Sequence, residues 1–140
     1  MVNALHEAWR VLAANAILID MRPINGRPPI EIVAGGAVYR VGNVDDSSAA
    51  SDSAAADRAI QTVVQSGNFA PIQMREFVCD YYWDSVAEIT HYLETRRHPM
   101  RALPSTAEVT NAFEKIAAGG QKPRLRCPWP IQLNSYKRLG

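Results

Sequence analysis

The chain has 140 residues, 47% of them hydrophobic, and its 15 Lys and Arg against 14 Asp and Glu leave a formal net charge of +1. That length fits a single domain over residues 1–140, large enough to bury roughly 68–70% of its unfolded surface. Near-neutral charge with no basic stripe argues against a nucleic-acid partner; with no apolar run of about 18 residues and no signal-peptide pattern, no membrane partner is expected and the expected location is the cytoplasm.

The first element is an amphipathic helix from Val2 to Leu12, with Val2, Leu5, Ala8, Trp9 and Leu12 on one core-facing stripe. Ala16 to Met21 follows as a strand apolar on both faces and closed by Pro23. Such a run belongs in the middle of a parallel sheet. Nothing ahead of it can pair with it, so the chain reads as the second half of an α/β fold without its first half. Pro29–Ala34 and Ala37–Val41 flank Gly35-Gly36, a hairpin signal because both turn residues can take positive φ. Val44 to Ala56 is small, polar and acidic, and reads either as a flexible loop or as an Ala-rich helix start. Asp57–Gln65 is better helix, stopped by Gly67-Asn68.

Phe69 to Trp83 reads as a long strand. Ile72 and Met74 share one face, and Phe77, Cys79 and Tyr81 the other, so the switch implies a bulge or cover on both sides. Ser85 with Glu88 and Ser105 with Glu108 are capping boxes, each opening a helix; the two helices end by Pro99 and at Gly119-Gly120. The last strand sets Leu125, Cys127, Trp129, Ile131 and Leu133 on one face. Pro128 and Pro130 between them each remove a ladder donor, so this strand is an edge or is bent and partly paired. Cys79 and Cys127 lie in apolar strand patterns and read as a reduced pair in the core. The expected fold class is α/β leaning to α+β, a mixed sheet of about four to five strands packed by helices.

His6-Glu7-Ala8-Trp9-Arg10-Val11-Leu12 followed by Ile17-Leu18-Ile19-Asp20 resembles the fifth helix and fifth strand of class I S-adenosylmethionine-dependent methyltransferases. The segment from Phe77 to Asp84 is similar to that family's sixth strand, and Gln132 to Arg138 to its seventh. The resemblance covers most of the chain and implies the C-terminal half of that fold. Ala14-Asn15-Ala16 stands where the family usually has Pro-Gly-Gly. The half that binds the cofactor, through a Gly-rich loop joining a strand to a helix, has no counterpart here. No cofactor is therefore expected on the chain alone, and S-adenosylmethionine only if a partner chain completes the site.

The candidate ligand-facing residues are Asp80, Tyr81, Tyr82 and Trp83, with Asp84 at the strand exit and His91 on the helix that follows. An acid, two phenols and an indole meet there at a strand-to-helix junction. The histidines and cysteines lack metal-ligand spacing, and no nucleophile elbow occurs, so no catalytic or metal-binding residue is assigned. The candidate assembly edge is Ile17, Leu18 and Ile19, on a strand with no Lys, Pro or bulge to blunt it. Three functions follow as expectations. The first is a non-catalytic interaction or oligomerisation module, a homodimer by default. The second is one half of a split methyltransferase joined by an S-adenosylmethionine-binding partner chain. The third is a small-molecule-binding protein using the Asp80–Asp84 cluster.

Overall fold

The computed structural model describes residues 1–140. Its elements run α1 (Val2–Val11), β1 (Ile17–Pro23), β2 (Pro29–Ala34), β3 (Ala37–Asp45), a 3₁₀ turn (Ser47–Ala49), α2 (Ala50–Gln65), β4 (Phe69–Trp83), α3 (Val86–Glu94), β5 (Arg101–Leu103), α4 (Thr106–Ala118) and β6 (Arg124–Arg138). Six strands form one sheet in the order β1-β6-β2-β3-β5, with β4 also paired to β6. The defined registers are antiparallel throughout. Helices packed on a sheet of this kind make the fold α+β, with six strands where four to five were expected. No helix is long and apolar enough to cross a membrane.

Two compact units divide the chain. The first holds Met1–Ile24, Ala50–Phe77 and Ile131–Gly140, and the second Asn25–Ala49 and Val78–Pro130.

In the first unit, α1 packs on α2. The predicted stripe of α1 faces inward, but none of its residues is fully buried. Its Trp9 anchors the C-terminus instead: the indole Nε1 donates to the Leu139 carbonyl at 2.9 Å, and the Arg138 guanidinium lies 4.9 Å from the ring centre. The ambiguous Ala-rich segment resolves as the end of β3, the 3₁₀ turn and then helix, and α2 buries Ala56, Ala59 and Val63. Gly67, at φ 74°, ends that helix turn as expected.

β1 departs from its sequence reading. It pairs antiparallel with β6, from Ile17 opposite Lys137 to Pro23 opposite Ile131, and with no other strand. It is an edge strand, not the centre of a parallel sheet. Its side chains alternate strictly, with Leu18, Asp20 and Arg22 half-buried and Ile17, Ile19 and Met21 exposed. The physical cause is Arg22. Its guanidinium bonds Asp20 at 2.8 Å, Asp57 of α2 at 2.8 Å and the Ser53 carbonyl at 3.3 Å. That pairing holds the even-numbered residues toward α2, and a period of two then turns the isoleucines outward.

In the second unit, the β2–β3 hairpin forms on Gly35 and Gly36, at φ 56° and 82°, as the sequence implies. Ile30, Ile32 and Ala34 of β2 are buried, and so is Val44 of β3. Gly42 of β3 passes so close to β5 that an added Cβ would collide with the Leu103 carbonyl. The Asp46 carboxylate is buried and accepts from the amides of Gly26 at 3.1 Å and Arg27 at 3.3 Å, tying down the approach to β2. Both predicted caps are present: Ser85 Oγ and Ser105 Oγ each accept the amide three residues on, at 3.2 Å. Ile89, Leu93, Val109, Leu125, Cys127 and Trp129 complete this core.

β6 is not an edge. It pairs with β1, β2 and β4. Its prolines fall between the residues paired to β2, which end at Arg126, and those paired to β1, which begin at Ile131. The missing N–H groups thus fall where neither β1 nor β2 is paired to the strand.

Candidate functional site

Alternation along β4 splits the predicted cluster in two. Tyr81 and Trp83 turn to one face, where they stack with ring centres 6.2 Å apart. Tyr92 of α3 sits 5.1 Å from Trp83, and Trp129 meets Tyr81 edge-on at 6.3 Å. Arg96 covers Tyr92 at 5.0 Å and donates to its hydroxyl at 2.8 Å. Burial pushes the Tyr81 phenol above its ordinary value, with Cys79 adding to the shift. Trp129 Nε1 is buried with no hydrogen-bond partner.

Asp80, Tyr82 and Asp84 turn to the other face, and arginines from β6 meet them. Arg124 bonds Asp84 at 2.6 Å and lies 5.1 Å from the Tyr82 ring centre. Arg126 bonds Glu31 of β2 at 2.6 Å and reaches Asp80 at 3.9 Å. Glu31 in turn stands opposite Arg40 of β3. The result is a cross-strand row of alternating charge, Arg40, Glu31, Arg126, Asp80, in which opposite charges sit side by side. His91 is exposed on α3 and is not among the stacked rings. Rings thus pack on rings on one face, and the carboxylates of the other face lie beside arginines. No three or more His, Cys, Asp or Glu side chains come together in an arrangement that could hold a metal ion.

The first unit contains a groove that the sequence reading missed. It has a volume of about 580 Å³, within the usual range for ligand sites. One wall is α2, through Asp57, Ile60 and Gln61; Pro71 to Met74 of β4 and Gln132, Asn134, Ser135 and Tyr136 of β6 supply the rest, with Arg22 at one side. A hydrogen-bonded row runs beside it. Gln132 Nε2 donates to Asn134 Oδ1 at 3.2 Å and to Met74 Sδ at 3.2 Å, and Asn134 Nδ2 donates to Asp20 at 3.4 Å. Burial pushes the Tyr136 phenol up, and the Asp20 carboxylate adds to the shift. The signal available in sequence was the alternation Gln132, Asn134, Tyr136, whose polar face mirrors Asp20 and Arg22 of β1.

The candidate assembly edge lies in the same unit. Ile17 and Ile19 are 49% and 62% exposed, Met21 is 62% exposed, and Leu18 is half-buried against the opposite face.

No family model, curated protein or solved structure matches the chain.

Proposed function

We propose that the chain is a non-catalytic assembly module, derived from the C-terminal half of a class I methyltransferase, that joins a second copy of itself through the open edge of β1. The observation that carries this is the exposed row of Ile17, Ile19 and Met21 on a strand paired along one side only. Such an edge, apolar and without Lys or bulge, favours pairing with another chain.

The strand sequence is compatible with its own two-fold copy. A two-fold axis perpendicular to the sheet at Ile19 sets Ile19 opposite the second copy's Ile19, and Ile17 opposite the second copy's Met21. All of these side chains share one face, at cross-strand separations of about 4.5–5.5 Å. Leu18 then stands opposite the second copy's Asp20, and no like charges meet. Moving the axis to Asp20 would oppose two aspartates.

The ancestry has one supporting feature. β6, which resembles the family's seventh strand, flanks β1, which resembles its fifth, and the side of β1 where the family's fourth strand would lie is open. A partner chain supplying that strand is the second reading, favoured by the same edge.

Sedimentation at micromolar concentration tests the first reading. The parent chain is expected to run as a dimer and Ile19→Asp as a monomer with unchanged circular dichroism. A parent chain that is monomeric across the micromolar range would overturn it. A stable interface needs on the order of 800 Å² per partner.

A further inference from the structure

The sheet of the first unit carries its apolar and polar residues the wrong way round for a face meant for water. In β1 the residues turned toward α2 are Leu18, Asp20 and Arg22, and those turned to solvent are Ile17, Ile19 and Met21. β6 follows the same pattern. Asn134 bonds Asp20 and so lies on the α2 side, together with Gln132, which bonds Asn134. Leu133, Ser135 and Lys137 stand opposite Met21, Ile19 and Ile17, and opposed residues share a face. An antiparallel sheet with one solvated face keeps its apolar residues inside and its polar residues outside. Here Asp20, Arg22, Gln132 and Asn134 are inside, while Ile17, Ile19, Met21 and Leu133 are outside.

β4 extends this outer face. Met74 accepts from Gln132, which sets it on the α2 side; alternation then turns Gln73, Arg75 and Phe77 outward and Glu76 the other way. Phe77 is exposed there. Lys137 and Arg75 are the charged residues that the three strands place on the outer face, and neither Asp nor Glu joins them. The Gln73 carboxamide accepts from Arg75 at 3.0 Å and leaves its charge uncompensated. Two such faces laid together would bring only cations to one another. A second copy is therefore a poor cover, and an acidic one is favoured.

The dimensions name the kind of cover. Three strands about 4.8 Å apart span about 10 Å, the diameter of one helix. From Ile17 to Met21 is about 13 Å, the length of about nine helical residues. We infer that this outer face is a docking site for an acidic amphipathic helix of a partner protein. Its apolar stripe packs on Ile17, Ile19, Met21, Leu133 and Phe77, and its flanking carboxylates meet Lys137 and Arg75. Pairing at the β1 edge uses backbone groups and leaves this face bare, so the inference does not rest on assembly.

The test uses the full ¹⁵N-labelled chain titrated to millimolar concentration with acetyl-Glu-Leu-Gln-Glu-Leu-Leu-Gln-Glu-Leu-Gln-Glu-Leu-Leu-Gln-amide, and with the same peptide carrying lysine for each glutamate. The acidic peptide is expected to shift the Ile17, Ile19, Met21 and Leu133 amide signals, and the basic one to bind at least about tenfold more weakly. Arg75→Glu combined with Lys137→Glu changes two exposed side chains and leaves the core intact. This variant is expected to weaken the acidic peptide about tenfold and to reverse the preference between the two. Equal binding of the two peptides would overturn the inference, since charge would then select nothing. So would the absence of shifts on the outer face. Tighter binding to vesicles of mixed phosphatidylserine and phosphatidylcholine than to the acidic peptide would also overturn it, the occupant then being a lipid surface. Shifts on this face that follow protein concentration without peptide would do the same, because a second copy would then cover it.

Discussion

Cys127 shows how one buried group ties the core of the second unit to pH. It is fully buried between Leu125 and Trp129 on β6, and burial pushes its thiol up to about 12 from 9.0, with Glu31 adding to the shift. The unfolded chain ionises this thiol near its ordinary value while the folded chain keeps it protonated. Stability is therefore complete below about pH 9 and falls as pH rises from there toward about 12, by up to about 1.4 kcal/mol per pH unit. Urea unfolding at pH 8 and pH 10 should show this loss, and Cys127→Val should reduce it. Burial of Cys127 was legible from its place in an alternating apolar strand. The fate of Asp80, Tyr82 and Asp84 was not. Their surroundings depend on Arg124 and Arg126, which come from a strand some forty positions on and meet them only through pairing.

β1 carries the clearest lesson among the elements. Helix caps and the Gly-Gly hairpin could be read because each is decided within a few residues. Ala16 to Met21 could not be placed from its apolar run, since a central strand and an edge strand look alike there. Pairing with β6 alone makes it an edge, and the hold of Arg22 on Asp57, 35 residues further along, sets which face turns outward. Arg22→Met would leave Asp20 beneath α2 with Asn134 as its remaining partner. The expected cost is about 1–3 kcal/mol, read as a lowered urea midpoint with an unchanged m-value. A stability equal to that of the parent would mean that the outward turn of the isoleucines has another cause.

For the molecule as a whole, the α+β class was readable from the order of helices and strands, while the groove was not. Its walls come from three segments of the chain far apart in sequence, and no local pattern announces their meeting. Calorimetry offers a direct check on the proposal that the chain assembles rather than catalyses. S-adenosylmethionine added to the chain alone is expected to release no heat of binding, because the strand-to-helix Gly-rich loop that grips such a cofactor has no counterpart in this sequence. A saturable heat would overturn that expectation. Gly42 adds a constraint of another kind. Where its Cα passes the Leu103 carbonyl there is room for a hydrogen and nothing larger. That position therefore has no conservative replacement. Any descendant of this sequence that keeps β3 and β5 in register must keep glycine there, so Gly42 is a marker by which distant kin of this fold could be recognised after their surfaces have diverged.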